Sequence, residues 1–246
     1  MTKAVSILIS CCMLLTAACS DVQDTEPDYL ERATAALADA NATVAYIELK
    51  NALRTDPQSA EARWLLGKLY VDVGSADEAL KELSLAQNLG WPANDVRPAT
   101  ARALAALRRY DDILALDTEQ LDRVSASEVL AGQSMAALAK GDLEQANVLA
   151  QQAQQANPEG TAGAIAEAAI TSRAGDQAGA MTILQELVER HPNHARGWYL
   201  LALNQLSMGR RGAALTSLGR AVDLQPQWVE PRTTRALTYL QLKQAD

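Results

Sequence analysis

Apolar and small residues in the stretch from Ala60 to Pro92 recur every three or four positions on either side of Gly74. This spacing places residues on one face of a helix, and glycine often ends a helix because it adopts the left-handed conformation. The stretch therefore predicts two antiparallel helices joined by a tight turn. Gly67 and Ala79 are small enough to let the two helices approach closely. The recurring positions are Leu66, Gly67, Tyr70, Ala79, Leu83 and Ala86.

The same pattern returns along the chain at a constant interval. Three independent series share this interval: Gly141, Gly175 and Gly209; Pro158, Pro192 and Pro226; and Ala146, Ala180 and Ala214. The pattern resembles the tetratricopeptide repeat, a helix–turn–helix unit of about 34 residues. The resemblance implies an all-α fold, in which antiparallel helix pairs stack into a right-handed superhelical solenoid. About six repeats and one terminal helix are expected.

The interval sets the expected boundaries of the repeats within a solenoid that occupies residues 28–246. In the turn of repeat one, Ala40-Asn41 replaces glycine, and we expect Asn41 to take the left-handed conformation. The pattern of repeat three fades after Leu116, which predicts a shortened second helix and an irregular connection. The repeats are predicted at about 26–59, 60–93, 94–126, 127–160, 161–194 and 195–228, followed by a terminal helix at 229–246.

Residues 1–18 have the pattern of a bacterial signal peptide. Lys3 precedes an apolar run that ends at Ala18, and the run is shorter than the roughly 20 residues that a bilayer-spanning helix needs. The run ends in LTAAC, which resembles the lipobox of bacterial lipoproteins, although Thr16 stands where leucine is usual. The resemblance implies that Cys19 becomes the lipidated N-terminus, followed by a flexible tether over 19–27.

Two points about this export signal remain open at the level of sequence. Ser20, rather than aspartate, follows the cysteine, and by resemblance to enterobacterial lipoproteins this favours the outer membrane. The alternative is an ordinary secretory signal, cleaved after Ala18 or a little later. Either way, we expect the chain to face the periplasm of a Gram-negative cell envelope.

Composition argues against several classes of function. The formal net charge of -8 is unfavourable for nucleic-acid binding, because clustered lysine and arginine side chains are needed to neutralise the phosphates. Cys19 is the last cysteine in the sequence, so no thiolate nucleophile is expected in the repeats. His191 and His194 flank a proline in a predicted turn and lack further ligands nearby in sequence. We therefore expect no catalytic residues, metal, cofactor or small-molecule substrate.

Residues 44–116 carry a more specific resemblance. The segments IELKNAL, EARWLLGKLY and RALAALRRYDDIL resemble the tetratricopeptide-repeat lipoproteins of the PEP-CTERM/exosortase system. The resemblance implies a non-catalytic scaffold that binds envelope or export proteins during exopolysaccharide production and surface-protein sorting. Two alternatives stay open. One is a pilotin-like or outer-membrane assembly lipoprotein of similar size, and the other is a cryptic envelope enzyme.

The candidate partner-binding site is the concave groove that first helices line in this repeat family. Counting Ala60 as place 1, the lining places are 2, 5, 9, 12 and 13. They give a mainly apolar groove with aromatic anchors, suited to an extended or helical apolar segment. The alternative is that Trp64 and Tyr199 pack within the solenoid. The candidate groove residues are Trp64, Lys68, Met135, Tyr199, Leu203 and Leu206.

Overall fold

The computed structural model of the protein describes residues 28–243, so the signal peptide, Cys19 and the tether lie outside the described residues. Within that range the chain forms thirteen α-helices and no strands, which confirms the all-α prediction. The helices are α1 (Tyr29–Ala38), α2 (Ala42–Thr55), α3 (Ala60–Asp72), α4 (Ala76–Asn88), α5 (Ala93–Ala106), α6 (Tyr110–Leu114), α7 (Arg123–Lys140), α8 (Leu143–Ala156), α9 (Ala162–Arg173), α10 (Gln177–Arg190), α11 (Ala195–Ser207), α12 (Arg211–Leu224) and α13 (Val229–Lys243).

The helices stack as consecutive pairs. Odd-numbered helices, here called first helices, each pack against the even-numbered second helix that follows, and each second helix packs against the next first helix. The first helices also touch one another, α3 against α5, α5 against α7 and α7 against α9. Repetition of one packing step builds a solenoid in which each unit contacts its neighbours. None of the helices between residues 28 and 243 is long and apolar enough to cross a membrane.

The two helices of repeat two approach each other closely at place 8 of the first helix. A Cβ atom added to Gly67 would lie 2.7 Å from Leu83 Cγ and 3.2 Å from the Leu83 backbone nitrogen in the second helix. Only a very small residue fits such a contact, as the sequence pattern predicts. The six paired first helices all bury a small residue at place 8: Ala33, Gly67, Ala101, Ser134, Ala168 and Ala202.

The turn inside each pair ends the first helix with a left-handed residue. Gly74 has φ 82° and Gly141 has φ 87°. In repeat one, Ala40 takes this conformation, with φ 54°, so the expectation for Asn41 was wrong. Asn41 has φ -92° and caps α2 instead, because its side chain accepts a hydrogen bond from the Val44 backbone N–H at 3.2 Å. A capping asparagine satisfies an otherwise unpaired helix donor.

The shortened helix expected in repeat three is present as α6. Gln133 of α7 compensates for its early end: its buried side-chain amide donates to the carbonyl oxygens of Ile113 and Leu114, each at 3.2 Å, and of Leu116 at 2.8 Å. The last carbonyls of a helix have no partner within the helix, so one glutamine stabilises the end of α6. Helix α7 begins at Arg123, before the predicted start of repeat four at 127.

Ion pairs to buried glutamates join the two helices of repeats one and two. Arg32 donates to Glu48 at 2.5 Å, and Arg63 donates to Glu82 at 2.6 Å. Both glutamates are buried and both occupy place 23, on the second helix, whereas the arginines occupy places 7 and 4 of the first helix. A buried carboxylate is tolerated only when it is paired and hydrogen-bonded, so these arginines keep the glutamates in the interior.

Candidate functional site

We call the residues at place 9 of successive first helices the groove row. The first helices α3, α5, α7 and α9 pack side by side, which brings their place-9 residues onto one surface. Place 9 follows the buried place 8, and a helix turns by about 100° per residue. The row therefore points along the surface that the first helices share. Its members are Thr34, Lys68, Arg102, Met135, Ala169, Leu203 and Leu237.

The second part of the groove row is apolar and open to solvent. Met135 and Leu203 are each 38% exposed, and Leu237 is 54% exposed. We call Met135, Ala169, Leu203 and Leu237 the apolar half of the groove row. Leu237 was not among the predicted site residues, although continuing the repeat count into the terminal helix would have found it. The structure thus extends the candidate surface from α7 to α13.

The first part of the groove row carries charge instead. The Lys68 ammonium lies 4.6 Å from the centre of the Trp64 ring, within the range of a cation–π contact. Arg102 donates to Asp72 at 2.5 Å, and both side chains are exposed. The groove is therefore divided into a charged end and an apolar end, and the expectation of a mainly apolar groove applies only to the apolar end.

Trp64 is half-buried and packs between repeats. Its ring stacks on Trp91 with the ring centres 5.1 Å apart and the planes 25° apart. The indole N–H donates to the backbone oxygen of Asp95 at 3.4 Å. These contacts hold α3 against the chain that enters α5, which agrees with the alternative that Trp64 packs within the solenoid. A binding role for Trp64 stays a prediction.

Tyr199 is also half-buried, at the junction of α11 and α13. Its ring meets Trp228 edge to face, with the centres 5.0 Å apart, and its hydroxyl lies 3.5 Å from the Thr234 hydroxyl. Leu206 packs with Tyr199 against the buried core between α11 and α12. Both side chains therefore serve the packing of the last helices, and their predicted role in binding stays a prediction. The open apolar surface belongs to Met135, Leu203 and Leu237.

Two charged residues at place 2, Glu128 and Arg196, flank this surface. Partial removal from water raises the pKa of Glu128, and nearby Asp122 adds to the effect while Arg102 opposes it. Partial removal from water also lowers the pKa of Arg196, and the positive charge of Arg102 contributes. The arginine nevertheless remains charged. Although both residues are exposed to solvent, the surrounding helices displace part of their hydration.

The histidine pair lies in the turn between α10 and α11. The Nδ1 atom of His194 accepts a hydrogen bond from the Gly197 backbone N–H at 3.0 Å, so this histidine caps α11. Its Nε2 atom lies 3.4 Å from the Thr161 hydroxyl. A shallow cavity of about 390 Å³ adjoins the turn. Between residues 28 and 243, no group of three or more metal-binding side chains comes together.

Comparison with known proteins agrees with this architecture. The family described as Tetratricopeptide repeat matches residues 195–227, which include all of α11 and α12. Three solved structures are similar at 15–19% sequence identity, which is low enough that they report on fold alone. No protein with a curated function matches the chain in sequence.

The three structures differ in how much of their own length is matched. The Cut9 and Hcn1 hetero-tetramer of the APC/C has a TM-score of 0.60 and 15% identity, and the match covers 86% of this chain but 42% of that one. Yeast Tom70 has a TM-score of 0.57 and 18% identity, with 88% and 48% covered. The pilF protein of Pseudomonas aeruginosa has a TM-score of 0.54 and 19% identity, with 85% and 95% covered. With the constant repeat interval and the helix pairs, these matches show a tetratricopeptide-repeat solenoid.

The cap formed by His194 predicts a pH dependence of stability. Burial lowers the pKa of His194 below its ordinary value of 6.5, and the protonated ring cannot accept the hydrogen bond from Gly197. The stabilisation is therefore fully present above about pH 6.5 and is lost as the pH falls from there through the lowered pKa. Loss of a helix cap costs about 1 kcal/mol. Urea unfolding on either side of this range should show the difference.

The matched variants separate this effect from general acid destabilisation. His194→Asn keeps a side-chain acceptor at the cap, so its free energy of unfolding should change less with pH than that of the wild type. His191→Asn removes the other imidazole and should retain most of the wild-type dependence. Equal pH dependence in His194→Asn and the wild type would rule out His194 as the titrating group.

Proposed function

We propose that the protein is a non-catalytic scaffold whose groove holds an apolar segment of a partner protein. The observation that carries the proposal is the apolar half of the groove row. Met135, Leu203 and Leu237 are large, exposed and occupy the same place in their first helices. Contiguous exposed apolar surface commonly marks a protein interaction site.

The expected strength of this contact can be estimated from exposure. Full burial of a leucine or methionine side chain is worth about 1.5–3 kcal/mol. Because the three side chains are 38%, 38% and 54% exposed, covering them contributes roughly 2–4 kcal/mol. That alone corresponds to weak binding. The partner must therefore add hydrogen bonds or charge pairs. Arg102 in the row and Arg196 at place 2 offer positive charge for acidic groups.

We further propose that the scaffold is a lipoprotein of the Gram-negative envelope, facing the periplasm from the outer membrane. What supports this location is the signal pattern of residues 1–18, the lipobox-like sequence before Cys19, and Ser20 after it. The resemblance of residues 44–116 to the PEP-CTERM system lipoproteins supports a role as an adaptor in exopolysaccharide or surface-protein export. The proposed partners are accordingly export proteins of the envelope. The tether would connect the solenoid that binds them to the lipid anchor in the membrane.

A second candidate is a pilotin-like or outer-membrane assembly lipoprotein. The observation that favours it is the likeness in fold to the pilF protein of Pseudomonas aeruginosa, 95% of which the match covers. The genes that neighbour this one would separate the two candidates. Exosortase and polysaccharide-export genes would support the first, and pilus-assembly genes would support the second.

Cys19→Ala should abolish acylation and release the protein from the membrane fraction, because it removes the thiol that would carry the lipid. Incorporation of labelled palmitate and partitioning into Triton X-114 measure the two effects. Thr16→Leu, which makes the lipobox-like sequence more typical, is a useful control and should retain both. Equal membrane association of Cys19→Ala and the wild type would contradict lipid anchoring.

The groove is tested by the double variant Met135→Ala/Leu203→Ala. Because both side chains are exposed, truncation should leave helicity and the melting temperature nearly unchanged, while partner capture from envelope extracts weakens by about tenfold or more. The matched control is Val148→Ala on α8, which truncates an apolar side chain that is 49% exposed on a second helix.

Quantitative mass spectrometry of the captured proteins distinguishes the outcomes. A partner that is lost selectively from the groove variant, and kept by Val148→Ala, supports the proposal. If the groove variant retains every partner, the partners do not bind at the groove row.

A further inference from the structure

The terminal helix α13 has the face that first helices use to bind a second helix, and that face is uncovered in the part of the chain that the structure describes. Ala236 occupies place 8 and is exposed, whereas the place-8 residue of every paired first helix is buried. Tyr239 occupies place 11 and is 57% exposed. Its counterpart Tyr70 packs against the second helix α4. The lack of a covering second helix among the described residues accounts for both exposures.

Two arginines give this face a positive charge. Arg232 and Arg235 occupy places 4 and 7, the same places that hold Arg63 and Arg32 in the first two repeats. There, each arginine binds a buried glutamate at place 23 of the second helix. Neither Arg232 nor Arg235 forms an ion pair with another residue in the range 28–243. Helix α13 therefore carries an arginine at each of the two places that bind a buried glutamate in repeats one and two, without a glutamate opposite them among residues 28–243.

We call Arg232, Arg235, Ala236 and Tyr239 the second-helix face of α13. These residues line an open concavity of about 760 Å³, together with Val229 and Thr233. The first helices of repeats one and two are covered by helices that share the pattern Ala-x-x-Glu-Leu-x-x-Ala. In α2 the pattern is formed by Ala45, Glu48, Leu49 and Ala52, and in α4 by Ala79, Glu82, Leu83 and Ala86.

We propose that the second-helix face of α13 binds an acidic amphipathic helix of a partner protein. A leucine of that helix packs on Ala236, and the glutamate that precedes it accepts hydrogen bonds from Arg232 and Arg235. The geometry is that of the α3–α4 pair, in which Leu83 lies against Gly67 and Glu82 accepts a hydrogen bond from Arg63 at 2.6 Å. This interface is separate from the groove row, so it adds a second partner site to the scaffold.

Charge argues against a second copy of this chain as the occupant. A symmetric interface places the same patch on both sides, and two second-helix faces would bring four arginines together without a carboxylate from either patch. The glutamate-bearing helices α2 and α4 of another copy are already packed on their own first helices. Like charges at close range repel, so a helix from a different protein fits this face better.

The test uses the full chain and a peptide probe copied from α4, residues 75–90. Asp77 and Lys81 are exposed in α4 and lie one turn apart, so a lactam bridge between them holds the peptide helical without touching the proposed contact. Fluorescence anisotropy should show saturable binding of this probe. The same peptide with Glu82→Gln should bind about tenfold more weakly or worse, because a hydrogen bond to a charged group is lost.

Variants of the protein locate the binding. Arg232→Ala/Arg235→Ala should reduce the affinity for the probe by a similar factor, while the helical content and the melting temperature of the protein stay unchanged. Lys50→Ala/Arg54→Ala removes the same charge from exposed positions at the other end of the solenoid and should have no effect.

Each other outcome overturns the proposal. Absence of saturable binding, equal affinity for the Glu82→Gln peptide, or unchanged binding by Arg232→Ala/Arg235→Ala would show that the face does not recognise an acidic helix. Light scattering tests whether a second copy of the chain occupies the face. A dimer that forms as the protein concentration rises, and that is lost in Arg232→Ala/Arg235→Ala, would assign the face to a second copy instead.

Discussion

The two helices of a repeat approach so closely at place 8 that almost nothing larger than a methyl group fits between them. At Gly67 even a Cβ atom would come within 2.7 Å of Leu83. This contact brings the apolar sides of both helices together, and it determines which residues face outward. Place 9 turns to the shared surface of the first helices, and places 4 and 7 turn toward the second helix. The groove row and the second-helix face of α13 both follow from this one contact.

Polar side chains form hydrogen bonds or ion pairs to buried polar groups that the regular packing of the helices would leave without a partner. Gln133 bonds to three carbonyl oxygens at the end of α6, which lets the solenoid continue past a helix of only one turn. Glu48 and Glu82 are buried only because an arginine of the first helix reaches each of them. In α13, arginines occupy the same places without an acidic partner among residues 28–243, and the proposed recognition of a partner helix rests on this difference.

Much of this fold could be predicted from the sequence because a constant repeat interval constrains the packing of every repeat at once. The small residue at place 8, the glycine turns and the loss of pattern after Leu116 all predicted features that the structure shows. Asn41 was misassigned because asparagine suits both a left-handed turn and a helix cap, and the sequence does not distinguish them. The stack of Trp64 on Trp91 joins residues of different elements, and no local pattern reports such a pair. The sequence pattern predicted Met135 and Leu203 as groove residues but not Leu237, because Leu237 lies in the terminal helix after the last complete repeat.

The most direct measurement compares the same substitution at two helical glycines. Gly67→Ala adds a methyl group at the helix contact, and overpacking of that kind costs about 1–3 kcal/mol. Gly219→Ala, in α12, adds it where no atom lies within 4 Å, and replacing a helical glycine there should stabilise by about 0.5–1 kcal/mol. Denaturant unfolding of both variants should therefore give changes of opposite sign. If Gly67→Ala is as stable as Gly219→Ala, place 8 is not the contact between the helices, and the assignment of both surfaces fails with it.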